Sequence, residues 1–200
     1  MDTLALAVLA CIVLVAVRLV LRRPSRETGA QPRVHRPRPR PRRIAPGEEA
    51  PRVLSGKACV TDGDGLRLSG YEIRLFGIDA PEGAHPHGPE AKQALIRLCS
   101  RKTVIAEVEH VDRFGRIAAI CRLQDGLDLS AEMVRTGHAL DWAKHSGGRY
   151  RPLEPEWARR KLWLADARQR GRTDIWRAYE RRMEKRRARD AQEALADRPA

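Results

Sequence analysis

One short segment, residues 60–82, constrains the fold of this chain more than any other part of the sequence. Apolar and polar residues alternate along it in short runs, and an acidic residue stands at each turn signal. Such alternation predicts β-strands that bury one face and are joined by turns. The charged residues that concern us are Asp62, Asp64, Arg74, Asp79 and Glu82. The sequence therefore predicts a small sheet whose strand ends gather four acids around one arginine.

The four acids indicate a site for a hard cation. Closely spaced carboxylates repel one another unless a cation or protons intervene, and hard divalent cations prefer oxygen ligands. Arg74 among them indicates an anionic substrate, since a guanidinium group matches phosphate or carboxylate oxygens. Phosphate chemistry is the first expectation. Turn chemistry alone is the simpler explanation for Asp62 and Asp64, because Asp-Gly pairs are common in hairpins.

Four short motifs follow one another along the chain. They are Asp62-Gly63-Asp64, Arg74-Leu75, Asp79-Ala80-Pro81-Glu82 and Asp112-Arg113-Phe114-Gly115-Arg116. Each motif is weak evidence by itself, but together, in this order and at this spacing, they resemble the staphylococcal nuclease family. The resemblance covers roughly residues 57–177. It implies an OB-type barrel that hydrolyses phosphodiester bonds.

The resemblance also implies a metal site. Asp64, Asp79 and the main-chain carbonyl of Ala80 match the family's ligands for one Ca²⁺ ion, and other divalent cations are alternatives. Asp62 matches an acid that lies close to the metal without binding it. Ala80 replaces a threonine that is common in the family, but a backbone carbonyl is preserved by this change.

The remaining motif residues match the family's catalytic groups. Glu82 matches the general base that activates water, while Arg74 and Arg116 match the pair that binds the phosphate and stabilises the transition state. Phe114 stands where a tyrosine can reach the phosphate, so it belongs to the expected substrate-binding set. The absence of that hydroxyl is expected to affect affinity more than catalysis.

The overall pattern predicts an α+β fold, a five-stranded OB-type Greek-key barrel with about three helices. The predicted strands are 57–61, 66–68, 71–76, 103–108 and 116–123. The predicted helices are 88–101, a short one capped by Asp128 or Ser130 and stopped at Gly137, and 155–170. The four tryptophans, Trp157 among them, are expected in the core or between helices. We place the domain at 53–177 and a charged helical tail at 178–200.

The N-terminus reads as a membrane anchor. Residues 3–17 carry no charge, and a helix through residue 21 would be about 28 Å long, enough to span a bilayer. We therefore expect a single-pass anchor at 1–23 that contacts the membrane through residues 3–21. The arginines that follow it favour a cytoplasmic domain, with a periplasmic or extracellular domain as the alternative. A cleaved signal peptide is the rival reading, but it calls for a basic start, which is missing here.

Residues 24–52 read as a disordered Arg/Pro-rich linker with seven of the 13 prolines. Such a linker is either a solvated spacer beside lipid headgroups or a non-specific nucleic-acid arm. The chain carries a net charge of +13, but ten arginines against three glutamates in residues 22–52 account for much of it. The charge is thus weak evidence that the folded domain itself binds nucleic acid.

The sequence as a whole predicts a membrane-tethered, Ca²⁺-dependent nuclease. We expect a monomer that cuts DNA, with RNA as a second substrate, at low sequence specificity and with 3′-phosphate ends. One alternative is a non-catalytic nucleic-acid- or protein-binding module of the same fold, tethered to the membrane. Another is an envelope-associated structural protein whose basic tether is the functional part.

Overall fold

The structure is a computed structural model that describes residues 40–196. Its strands are β1 (Val53–Gly56), β2 (Cys59–Val60), β3 (Gly65–Leu68), β4 (Tyr71–Leu75), β5 (Ile78–Asp79), β6 (Val104–Val111), β7 (Ile117–Leu123) and β8 (Leu140–Asp141). Six of them form one sheet in the order β1-β6-β7-β4-β3-β2, while β5 and β8 pair separately. The large sheet curls into a half-barrel, consistent with an OB-like fold. All its neighbouring strands are antiparallel except β4 and β7, which are parallel.

Helices cover the sheet and extend beyond it. They are α1 (Gly88–Cys99), α2 (Leu129–Arg135), α3 (Ala143–Ser146), α4 (Ala158–Lys161), α5 (Trp163–Gln169) and α6 (Thr173–Ala196), with a 3-10 turn at Arg151–Leu153. The α2 helix begins where predicted, because the Asp128 side chain accepts a hydrogen bond from the Ala131 N–H at 3.1 Å. The predicted first helix is also confirmed, apart from two residues at its end.

The core lies between the curled sheet and helices α1 and α2. Alternation along β3 and β4 turns Leu66, Ile73 and Leu75 inward, and each is at most 1% exposed. They join Leu95 of α1 and Met133 of α2, both fully buried, in one cluster. Burying a side chain of this size contributes about 1.5–3 kcal/mol relative to leaving it in water. This core fixes the ends of β3 and β4, where the predicted acids lie.

Several parts of the predicted fold are wrong. The described residues form six α-helices rather than about three. The sheet has six strands rather than five, because β1 was missed: it is four residues long, and Val53 is 56% exposed, so it lacks a clear alternating pattern. The predicted helix 155–170 is broken between α4 and α5 at Leu162, which is 2% exposed and has φ −95° and ψ 41°. Trp157 and Trp163 are 44% and 41% exposed and are therefore not core residues. The Trp163 ring of α5 lies 5.9 Å from the Tyr179 ring of α6, as expected for a tryptophan between helices.

The predicted anchor at residues 3–21 lies outside the described residues. Within residues 40–196, no helix is both long enough and apolar enough to cross a membrane. The end of the predicted linker contacts the sheet: Arg42 forms a parallel bridge with Tyr71, and Ile44 is 6% exposed. The Ile44 N–H also donates to the Gly115 carbonyl at 2.8 Å. Chain packing therefore starts before residue 53, through one isolated apolar residue that no periodicity could reveal.

Candidate active site

The turn between β2 and β3 brings Asp64 to Arg74. Gly65 pairs with Arg74 across the β3–β4 ladder, which places Asp64 directly beside the arginine strand. Arg74 Nη2 donates to Asp64 Oδ2 at 2.6 Å, and the Leu75 N–H donates to the Asp64 carbonyl at 2.8 Å. Burial raises the pKa of Asp64, and the positive charge of Arg74 offsets part of that rise. The carboxylate is thus held rigidly, with one oxygen committed to Arg74.

Asp79 lies behind Asp64 in the short β5–β8 pair and is fully buried. Arg74 Nη2 is 3.8 Å from Asp79 Oδ1, so one guanidinium faces both acids. The next residue, Ala80, donates its N–H to Asp64 Oδ2 at 3.4 Å. A side chain at Gly63 would come within 2.9 Å of the Ala80 side chain, and so only glycine lets the two turns approach this closely.

A second arginine, Arg168 of α5, closes the site from the opposite side. Its guanidinium binds both oxygens of Asp79, with Nε 3.2 Å from Oδ2 and Nη2 in contact with Oδ1. Nη2 also donates to the Ala80 carbonyl at 3.2 Å, and Nη1 donates to Glu82 Oε1 at 2.9 Å. Gln169 Nε2 reaches Asp79 Oδ2 at 3.5 Å. Arg168 thereby connects the predicted metal ligands with the predicted base.

These contacts decide the charge states. Burial would lower the pKa of Arg168, but Asp79 and Glu82 raise it above its usual value. Burial raises the pKa of Asp79, while Arg168 and Arg74 oppose the rise. Because both oxygens of Asp79 accept hydrogen bonds from one permanently charged guanidinium, the ionised pair is the state at neutral pH.

Glu82 is positioned by the start of α1. The Gly88 Cα lies so close that a side chain there would come within 1.9 Å of the Glu82 carbonyl oxygen. Burial by itself would raise the pKa of Glu82, but the hydrogen bond and charge of Arg168, together with the charge of Arg74, outweigh burial and lower it. Asp62 differs: burial raises its pKa, and the nearby Glu82 adds to the rise. Glu82 is therefore ionised in this arrangement.

Arg116 enters from the turn between β6 and β7. Asp112 holds this turn by accepting from the Phe114 and Arg116 N–H groups at 2.8 and 3.0 Å, and it also binds Arg116 Nε at 2.7 Å. Ile117 pairs with Ile73 on the parallel strand β4, so Arg116 lies next to the strand that carries Arg74. Phe114 is 53% exposed, with the Arg116 guanidinium 5.5 Å from its ring centre.

A cavity of about 250 Å³ joins most of the predicted residues. It is lined by Thr61, Asp62, Asp64, Gly65, Glu72, Ile73, Arg74, Glu82 and Arg116. Asp79, Ala80 and Phe114 do not line the cavity. Ala80 is connected to it by hydrogen bonds with Asp64 and Arg168, and Asp79 by its contacts with Arg74 and Arg168. The lining presents two guanidinium groups and four acidic side chains to one small space. The guanidinium groups can bind a phosphate, and Glu82 can accept a proton from an attacking water.

Comparison with known proteins identifies the family. Residues 72–178 match the family described as Staphylococcal nuclease homologue. The chain belongs to the staphylococcal nuclease family. A probable staphylococcal-like nuclease of Oryza sativa subsp. japonica is 34% identical over 116 residues, which cover 58% of this chain and 32% of that protein.

Two further relatives come from organisms other than Oryza sativa. A probable endonuclease of Schizophyllum commune is 33% identical, over 52% of this chain and 44% of its own length. An uncharacterized endonuclease of Escherichia coli is 31% identical, over 52% of this chain and 72% of its own. The chain thus spans less than half the length of the plant and fungal relatives.

In this staphylococcal nuclease homologue, the expected metal ligands have the chemistry that a hard cation prefers. In the structure, however, they accept hydrogen bonds from Arg74 and Arg168. Asp64, Asp79 and the Ala80 carbonyl supply only oxygen atoms. Arg168 Nη2 holds one Asp79 oxygen and the Ala80 carbonyl, however, so a cation can take both only after the guanidinium withdraws. In the described part of the chain, no three His, Cys, Asp or Glu side chains are grouped for metal binding.

Arg168 is the site residue that the sequence did not reveal. It lies 89 residues from Asp79 along the chain, in an arginine-rich segment where nothing in the local composition singles it out. One signal was available in the sequence: Leu164 and Ala165 are apolar, and Arg168 follows them by four and three positions, on the same face of the predicted helix. In the structure both apolar residues are buried. A charged residue on a buried face needs a buried partner of opposite charge.

Arg159 of α4 holds α5 in place behind Arg168. It binds both oxygens of Glu154 at 2.7 and 2.8 Å, and Asp166 of α5 at 2.7 Å. It also donates to Gln169 Oε1 at 3.2 Å. These ion pairs and hydrogen bonds fix the end of α5 relative to the site. Arg168 therefore lies on a helix whose position is held by α4 and Glu154.

Proposed function

We propose that this protein is a nuclease that hydrolyses phosphodiester bonds in DNA, and in RNA as a second substrate, with low sequence specificity. One observation carries the proposal: Glu82, Arg74 and Arg116 line the same cavity. Support also comes from the family and from relatives whose names describe nucleases and endonucleases. The combination of one base and two guanidinium groups is suited to hydrolysis at a phosphate.

In the proposed reaction, a water oxygen attacks phosphorus while Glu82 takes one of the water protons. Arg74 and Arg116 bind the phosphate oxygens and offset the negative charge that grows there. The bond from phosphorus to the 5′-oxygen breaks, and the leaving oxygen takes a proton from solvent, which leaves a 3′-phosphate and a 5′-hydroxyl. General-base catalysis by one group contributes typically about 10²–10⁴ in rate.

We further propose that one divalent cation, with Ca²⁺ as the expected ion, takes part. Asp64, Asp79 and the Ala80 carbonyl would hold it once Arg168 withdraws from the last two. When bound, the ion would supply positive charge that neutralises the carboxylates and the phosphate. Withdrawal of Arg168 would also release Glu82 from its ion pair, and its basicity would increase because the group that lowers its pKa is removed.

Cleavage of labelled single- and double-stranded DNA by the full chain tests this function. Reactions contain Ca²⁺, Mg²⁺ or chelator, and the variants are Glu82→Gln and Arg116→Ala. Glu132→Gln is the matched control, since Glu132 is also ion-paired to an arginine but lies away from the cavity. We expect cation-dependent cleavage that both site variants reduce by at least about a hundredfold, with the control close to wild type.

A second candidate function is a non-catalytic nucleic-acid-binding module. It is favoured by the contacts of Arg168 with Asp79 and Glu82, which offset the charge of the acids on which catalysis would depend. A folded wild-type chain that binds DNA but cuts it with none of the ions would establish this candidate. The same outcome would refute the hydrolytic proposal.

A further inference from the structure

A groove runs between α6 and the loop that follows Glu82. Its cavity has a volume of about 1180 Å³ and is bounded by residues 84–86, by Trp163 of α5 and by one face of α6. We call it the α6 groove. It is several times larger than the cavity around Glu82 and is built largely from a helix that continues well beyond the family match at residue 178.

Aromatic rings line one side of the α6 groove. Trp163 is 41% exposed, and its ring is 5.9 Å from that of Tyr179, edge to face. Tyr179 in turn lies 5.6 Å from His85, and His85 lies 4.6 Å from Trp176. Trp163 is exposed, and Tyr179 and His85 are half-buried in the groove wall. Accessible aromatic rings are platforms on which unpaired bases stack, whatever their sequence.

Basic side chains of α6 also line the groove, on the same helix as Tyr179. Arg182, Lys185 and Arg186 lie on the α6 face that borders the groove, and no acidic side chain of the described residues is among its lining. Among the described residues, the ion pair of Arg186 is long and exposed, 3.8 Å from Asp190. A groove lined both by aromatic rings and by cations is complementary to a flexible polyanion that carries aromatic groups.

The α6 groove is adjacent to the candidate active site. The loop that borders it begins at Glu82, whose carbonyl accepts a hydrogen bond from the His85 N–H at 2.8 Å. On the other side, the Arg168 guanidinium that binds Glu82 lies 5.3 Å from the centre of the Trp176 ring. A polynucleotide strand bound at Glu82 could therefore continue into the α6 groove.

We propose that the α6 groove binds a single-stranded segment of a polynucleotide next to the active site. Bases stack on Trp163 and Tyr179, and phosphates lie along Arg182, Lys185 and Arg186. The proposal rests on the proposed function for its substrate class, and it adds a preference for unpaired strands. Paired bases are already stacked on one another and cannot place a ring face against Trp163.

Fluorescence anisotropy of a labelled 20-nucleotide oligothymidylate tests the groove. The full chain is titrated with chelator present and at about 0.15 M salt. The groove variant Arg182→Glu/Lys185→Glu is compared with Arg181→Glu/Arg187→Glu, which makes the same charge change on the same helix at exposed positions outside the groove. We expect the groove variant to lose at least tenfold in affinity and the control less than threefold. We also expect Trp163→Ala to lose about tenfold and Trp163→Phe to stay near wild type.

Three outcomes would overturn the proposal. The first is an equal loss in the two charge variants, the second is tighter binding of a duplex than of the single strand, and the third is a groove variant that loses binding to anionic phospholipid vesicles but not to oligothymidylate. Cleavage is measured separately on the same preparations. A chain that binds through the groove but never cuts would contradict the hydrolytic function alone, and a chain that cuts while the groove variant binds normally would contradict the groove alone.

Discussion

Removing Arg168 should destabilise the protein in the absence of divalent cations and make it respond more strongly to them. The change is Arg168→Gln, which keeps a polar side chain but removes the charge. Asp79 would then be a fully buried carboxylate without its main partner. Breaking a buried ion pair by removing one member costs about 3–5 kcal/mol.

The structure places the cost at the low end of that range. Arg74 Nη2 stays 3.8 Å from Asp79 Oδ1, Gln169 stays within 3.5 Å, and the Arg168 side chain is itself 24% exposed. We therefore expect the free energy of unfolding to fall by about 3 kcal/mol, which lowers Tm by about 6–12 °C for a chain of this size. Arg170→Gln, which removes an exposed arginine paired to Asp166, should cost less than about 1 kcal/mol.

Urea unfolding followed by circular dichroism in chelator measures both costs, and titration with Ca²⁺ measures the response to the cation. At a free concentration near 100 times its Kd, a cation that binds only the folded state adds about 2.7 kcal/mol. Arg168→Gln should gain more than wild type at any given concentration, because wild type must first displace the guanidinium. An Arg168→Gln protein within about 1 kcal/mol of wild type would refute the buried-pair argument. Equal calcium responses in the two proteins would refute the competition.

Two further predictions concern the loop between the site and the α6 groove. Gly88→Ala forces a side chain to within 1.9 Å of the Glu82 carbonyl, so it should lower both thermal stability and DNA cleavage. In the control variant Gly83→Ala, the new side chain meets no atom closer than 3.8 Å, so both properties should stay near wild type. Equal effects of the two changes would contradict the close approach at Gly88. Burial lowers the pKa of His85 below its usual 6.5, even though the charge of Glu82 opposes the shift. The contribution of neutral His85 to the free energy of unfolding is therefore complete above pH 6.5 and is lost as the pH falls through the lowered pKa of the folded state. His85→Gln should therefore flatten the decline in unfolding free energy as the pH falls below 6.5, and an unchanged slope would show that His85 does not titrate in this way.

The parts of the site that lie close together in sequence were predictable. The hairpin that carries Asp64, the strand that carries Arg74 and the turn that carries Arg116 each have a local pattern, and the structure brings these three residues to one cavity. Their position relative to one another follows from strand pairing that local turns specify. The roles of these residues in catalysis remain predictions.

What the sequence did not predict depends on contacts between distant segments. Arg168 meets Asp79 only because the fold brings α5 next to the β5–β8 pair, and nothing in the sequence around either residue indicates the other. The same holds for Ile44, which contacts the β6–β7 turn, and for the exposed faces of Trp157 and Trp163. Tryptophan is large and apolar, so composition favours burial, yet both rings are more than 40% exposed in the structure.

The structure changes the interpretation of the basic residues near the C-terminus, because several of them line the α6 groove. By sequence, the basic C-terminal tail from residue 178 is separate from the domain, and its charge says little about the domain's ligand. In the structure, α6 begins at Thr173 and continues through that boundary, and its basic face borders the ring of Tyr179 beside the loop that starts at Glu82. Electrostatic attraction between exposed charges is effective over about 8 Å at physiological salt, so cations on this face act where the polynucleotide would pass. The relevant quantity is therefore the local charge along the groove, and a variant that reverses it should matter far more than one that makes the same change elsewhere on α6.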